Sequence, residues 1–130
     1  MATLNLTSNL NAAGLTTDTI SSTVLLTNAS ITTGGISRVS TTAVVGTKAV
    51  LLDASTFPDP TDTTSVYVYI KNAGPNVLRL SVINNTASNA EDEMSLASGD
   101  WAMFPWAAAT DITMYQASAG TTVVEYGVFA

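Results

Sequence analysis

From Val66 to Phe129 the chain keeps returning to a two-residue period, and this constrains its fold more than any other feature. In VYVYIKN, Val66, Val68 and Ile70 alternate with Tyr67, Tyr69 and Lys71. In VLRLSVI, Leu78, Leu80 and Val82 alternate with Arg79 and Ser81. DITMYQA sets Ile112, Met114 and Gln116 against Thr113 and Tyr115, and TTVVEYGVF sets Val124, Tyr126 and Val128 against Val123, Glu125 and Phe129. Successive side chains of a strand point to opposite faces, so each run reads as a strand with one face in a core. Turn residues punctuate the runs at Ala73-Gly74-Pro75-Asn76, Ser98-Gly99-Asp100 and Ala119-Gly120. The first of these turns makes VYVYIKN and VLRLSVI read as a hairpin. Pro105 has no N–H, so WAMFPW belongs at a sheet edge or ends there. No stretch carries a capped helical period, and EDEMSLAS allows one turn at most.

The first half is less regular. Leu4, Leu6 and Leu10 fall on one face of an extended segment, and Ile20, Val24 and Leu26 recur at even spacing. Gly34-Gly35 reads as a break, residues 43–54 as apolar and β-prone, and residues 55–65 as a Pro/Asp loop. The expected fold is all-β: about eight or nine short strands, turns roughly every 8–12 residues, an antiparallel β-sandwich, jelly-roll-like. It occupies residues 32–130, and residues 1–31 form an extended N-terminal arm or the first strands. The arm's apolar stripe is too thin to make a core, so it has to pair with the rest of this chain or with a neighbouring copy. At 130 residues the chain makes one domain with a core that needs no staples.

Composition then limits the chemistry. There is no cysteine and no histidine, which removes disulfides, thiolate metal sites and the usual nucleophile–base triads. Four Lys and Arg stand against ten Asp and Glu, and Arg38, Lys48, Lys71 and Arg79 are scattered singly. Nucleic acid and anionic membranes are therefore not expected partners. No apolar run approaches the ~20 residues of a membrane-spanning helix, and MATLNLTSNL lacks the basic flank and apolar block of a signal peptide. Folding in the cytoplasm is expected. Charged residues make up 11% of the chain, less than half the roughly 25% of ordinary soluble domains. A surface of Thr, Ser and Asn suits permanent assemblies, because no charges are desolvated when subunits meet.

Catalysis and cofactors have little to work with. Asp53, Asp59, Asp62, Asp100, Asp111 and Glu125 are the carboxylates available for paired acid–base work, but nearly all fall at turns, where Asp serves the backbone. A Ser–Lys dyad through Lys48 or Lys71 has no supporting motif. The Asp59–Asp62 and Glu91–Glu93 clusters offer oxygens to calcium without any known loop spacing, and solvated loops are the plainer reading. Arg79, mid-strand on the non-core face, reads as half of an ion pair with Glu125 as its candidate partner. No catalytic residue, cofactor or metal is expected.

The heaviest apolar side chains crowd into SLASGDWAMFPW, which holds both tryptophans. Alternation sends Trp101 and Met103 one way and Ala102 and Phe104 the other, and Pro105 is expected to disturb the phase before Trp106. Aromatics on both sides of an edge strand can cap the core, contact another subunit or stack on sugars. Core cap together with subunit interface is the preferred reading, and the interface set is Leu4, Leu6, Leu10, Trp101, Phe104 and Trp106.

VYVYIKN, SLASGDWAMFPW and the C-terminal VEYGVF together resemble small virion structural proteins of tailed bacteriophages, especially phages of cyanobacteria and marine bacteria. The resemblance covers residues 65–130 and is structural rather than catalytic. It implies a non-enzymatic β-sandwich on the virion, made in the host cytoplasm and assembled on the particle. The expected role is a capsid decoration or cement protein that binds the major coat protein or other virion proteins, and copies of itself. The alternative is a tail, knob or fibre component that binds a receptor or glycan.

Overall fold

In a computed structural model, residues 2–12 and 20–31 are described as backbone, and residues 34–44, 46–56, 66–82 and 94–129 with their side chains. Among the described residues ten strands follow one another: β1 (Ala2–Ala12), β2 (Ile20–Ile31), β3 (Gly34–Thr41), β4 (Ala49–Leu52), β5 (Val66–Asn72), β6 (Leu78–Ser81), β7 (Met94–Leu96), β8 (Trp101–Trp106), β9 (Ile112–Gln116) and β10 (Thr122–Phe129). Every strand pairing is antiparallel. One 3-10 turn, Ala54–Thr56, is the sole helical element among the described residues. The protein is thus an all-β sandwich of two four-stranded sheets, β3-β10-β5-β8 and β4-β9-β6-β7, with β1-β2 as a separate two-stranded sheet.

The pairings nest. β3 pairs with β10, β4 with β9, β5 with β8 and β6 with β7, each strand with its counterpart from the other end of the ribbon. Contacts β10·β5 and β9·β6 then roll this ribbon so that successive pairs lie in opposite sheets. The rolling corrects the expected hairpin. β5 and β6 belong to different sheets, and residues 73–77 carry the chain across the sandwich. The edge position expected for WAMFPW is the observed one, since β8 ends its sheet. Gly34-Gly35 is not a break but the start of β3, paired with Phe129 and Val128. Of the described residues of the apolar stretch 43–54, only Ala49–Leu52 is strand.

The two inner faces build the core that alternation implied. Val66, Val68, Ile70, Leu78, Leu80, Ile112, Met114 and Val124 are buried, and Val82, Tyr126 and Val128 pack partly buried against them. Leu80 is fully buried between Met94 and Met114 in register. Leu80→Ala should cost about 3 kcal/mol in a urea titration, the transfer of the lost atoms plus the cavity they leave. A loss below ~0.5 kcal/mol would contradict the burial.

Two buried amides hold one end of the sandwich. The Asn72 amide group donates to Asn76 O (2.7 Å) and Leu96 O (3.0 Å), while its Oδ1 accepts from Gly74 N (3.1 Å) and the Thr122 hydroxyl (3.3 Å). Gln116 Oε1 accepts from the Asn76 amide (2.9 Å), and its Nε2 donates to Gly120 O. Asn72 and Gln116 are both fully buried.

Candidate functional site

WAMFPW fixes the geometry of the candidate site. β8 lies against β5 with Trp101 opposite Lys71, Ala102 opposite Ile70, Met103 opposite Tyr69, Phe104 opposite Val68, Pro105 opposite Tyr67 and Trp106 opposite Val66. The phase runs unbroken through Pro105, contrary to expectation. Proline is tolerated on an edge strand because its missing N–H can be one that points away from the sheet. Ala102, Phe104 and Trp106 therefore face inward. Trp106 is 6% exposed, belongs to the core cluster, and its indole N–H donates to Thr110 O at 3.1 Å. Burial removes uncovered apolar area as the argument for Trp106 as an interface residue, while Phe104 is partly buried against the same core. Trp101 behaves differently: it faces outward and is 48% exposed.

Around Trp101 the outer face of this sheet is ordered in rows. Strand register aligns Arg38, Glu125, Lys71 and Trp101 across four strands, and in the next row Ile36, Gly127, Tyr69 and Met103. A third row holds Gly34, Phe129, Tyr67 and Pro105. Arg38 Nε donates to Glu125 Oε2 at 2.9 Å, and the Tyr69 hydroxyl donates to Glu125 Oε1 at 3.2 Å. The hydrogen bond from Arg38 is the main cause holding the Glu125 carboxyl below its usual range, reinforced by Tyr69. Desolvation, then the neighbouring Glu125, raises the Tyr69 phenol. The carboxylate is thus ionised, and both its oxygens are oriented. With Arg38 mostly exposed, the pair adds little stability. The Tyr69 and Trp101 rings stand 6.3 Å apart at 39°, forming an inclined aromatic pair beside this charged row. Such a face can take an apolar protein surface or the face of a sugar ring, with the charged row supplying directional hydrogen bonds.

The pairing of Glu125 with Arg38 overturns the expected Arg79–Glu125 pair. Arg79 lies in the other sheet, between Ser95 and Tyr115 in register. No linear signal joins Arg38 to Glu125, because β3 and β10 meet only through the nested topology.

Among the described residues, the other carboxylates, Asp53, Asp100 and Asp111, serve the backbone, as their turn positions implied. Asp53 Oδ1 accepts from the Ser55 N–H (2.9 Å) and hydroxyl (2.6 Å), which lowers its pKa. Asp100 Oδ2 accepts from Ala97 N at 2.9 Å and closes the turn in which Gly99 takes φ 88°, a left-handed conformation that glycine adopts without strain. Asp111 Oδ1 accepts from Ala54 N at 2.9 Å, tying the 3-10 turn to β9. Among the described residues Lys48 makes no dyad: its Nζ is buried without a hydrogen-bond partner there, 5.8 Å from the centre of the Tyr115 ring.

Among the described residues no three Asp or Glu gather as a metal site, and no helix is long and apolar enough to cross a membrane. The Asp59–Asp62 and Glu91–Glu93 clusters lie outside the described residues. Leu4, Leu6 and Leu10 stand on β1 opposite Asn28, Leu26 and Ser22 of β2, and their side chains lie outside the described set. No protein-family model and no curated protein matches the chain.

Proposed function

We propose that this chain is a non-enzymatic virion structural protein, most specifically a capsid decoration or cement protein that lies across coat subunits and contacts copies of itself. The reading rests on the resemblance of residues 65–130 and gains support from the topology. The nested, rolled ribbon follows the jelly-roll order, an architecture common in viral capsid and lectin domains, a fold-level analogy. The carboxylates engaged at turns and the scarcity of charge agree with a binding role.

One observation carries the proposal furthest. The β1–β2 hairpin forms its own two-stranded sheet outside both sheets of the sandwich. An isolated two-stranded hairpin is marginal in water and gains stability by packing on a further surface. In this reading the surface belongs to a coat subunit. Deleting residues 2–31 should leave the melting temperature of the remaining domain within a few degrees of wild type, while binding to DNA-filled heads falls at least ~10-fold (about 1.4 kcal/mol). Unfolding of the truncated domain, or undiminished binding, would reject the tether.

The inclined Tyr69–Trp101 pair beside Glu125 and Arg38 supports a second reading, a glycan-binding tail, knob or fibre component. A glycan-attachment assay separates the two readings. Trp101→Ala in the full chain abolishes attachment to host-cell glycans if the second holds, and leaves attachment unchanged if the first does.

A further inference from the structure

Four strands bound the two sheets of the sandwich: β3 and β8 in one, β4 and β7 in the other. An edge strand turns half of its N–H and C=O groups away from its neighbour, which makes it a template for another strand unless something blunts it. Three of the four edges are blunted. β8 contains Pro105, β4 is four residues long with a register break between Val50 and Leu52, and β7 is three residues long. β3 has none of these devices. Its eight residues, GGISRVST, keep unbroken register against β10 and include no proline and no lysine. All are exposed except Val39 and Thr41, and Ile36 is 62% exposed. Among the described residues no strand lies on its outer side.

We propose that β3 pairs antiparallel with β3 of a second copy, joining two four-stranded sheets into one continuous sheet across a two-fold axis. Keeping both cores on the same side requires even-numbered residues to stand opposite even-numbered ones. With Ser37 on the axis, residues 34–40 of each strand pair, and Ile36 stands opposite Arg38 of the partner subunit, whose aliphatic stem covers it. An axis at Arg38 would set two guanidinium groups opposite each other, a destabilising pair. An axis at Ile36 would shorten the paired run to residues 34–38. The occupant is a second copy because this edge is locally neutral in a chain of net charge −6: Glu125 already compensates Arg38, so two such edges approach without repulsion. The inference concerns the purified protein alone and stands whether or not the virion reading does.

The sign of charge at position 36 tests both the partner and the register. Wild-type protein at ~100 μM should sediment as a dimer. Ile36→Lys places an ammonium against the partner's Arg38 twice per interface and should raise the dimer Kd at least ~10-fold over Ile36→Glu at low salt, with the difference shrinking in high salt. Both variants should keep the wild-type dichroism spectrum, since the side chain is exposed. A monomeric wild type, an oligomer that Ile36→Lys leaves intact, or equal weakening by Lys and Glu would each overturn the proposal.

Discussion

Asn72→Ala should lower stability by about 4–5 kcal/mol, the cost of breaking a buried hydrogen-bond network. An amide side chain offers two donors and one oxygen that accepts twice, and Asn72 uses all four capacities. Three of its four partner residues, Gly74, Leu96 and Thr122, are themselves buried. Each buried group left without a partner costs roughly 1–3 kcal/mol. Asn72→Asp separates the contributions, since it keeps the oxygen that accepts from Gly74 and Thr122 but loses both donors. It should also destabilise strongly, by burying a carboxyl beside two carbonyl oxygens. Urea titration followed by dichroism measures both. A loss below ~1 kcal/mol for Asn72→Ala would show that the crossing between the sheets does not depend on this residue.

The same residue shows where sequence reading stops. Alternation correctly assigned the inward faces of β5, β6, β9 and β10, because a strand's side-chain phase is local. Continued to its end, that phase also places Asn72 and Gln116 inside, and two amides on core faces are a visible signal of a polar network. Partner choice is not local. Ala73-Gly74-Pro75-Asn76 suits a hairpin as well as it suits a crossing. The end of β5 is instead bonded elsewhere: Asn72 N to Asp100 O, Gly99 N to Asn72 O, and Ala73 N to Val123 O. Gly74 is pressed so close to β10 that an added Cβ would lie 2.6 Å from Val123 N and 2.8 Å from Thr122 Cα. The glycine is needed for that close approach, which the turn signal does not reveal. Gly34 is a similar case. It reads as a break, yet the Phe129 ring lies over it, 2.6 Å from where a Cβ would stand, so a glycine serves inside a regular strand. For the outer face, parity put Glu125 on the side away from the core and separated Trp101 from Phe104 without saying which of those two faces outward, while Arg38 and Tyr69 reach Glu125 only through strand neighbours that the linear order hides.

The two tryptophans of β8 should respond oppositely to truncation. Trp106→Ala should lower stability by about 3–5 kcal/mol, the range for emptying a large aromatic site in a core. Its indole lies in the core cluster, and its N–H also bonds Thr110 O, in the turn whose Thr110 hydroxyl donates to Val82 O at 2.7 Å. Truncation therefore removes packing and at the same time loosens the turn that closes this end of the sandwich. Trp106→Phe keeps most of the volume and loses the indole N–H, so it should cost clearly less and divide the packing part from the hydrogen bond. Trp101→Ala, at a side chain 48% exposed on the outer face, should cost under ~1 kcal/mol. Thermal melts of the three variants, each compared with its binding to particles, separate structure from recognition. If Trp106→Ala melts like wild type but loses binding, the inward phase of β8 is wrong and Pro105 does shift it. If Trp106→Ala melts early and Trp101→Ala alone loses binding at an unchanged melting temperature, recognition lies on the outward side of the strand, where Trp101 sits beside Tyr69 and the ionised Glu125.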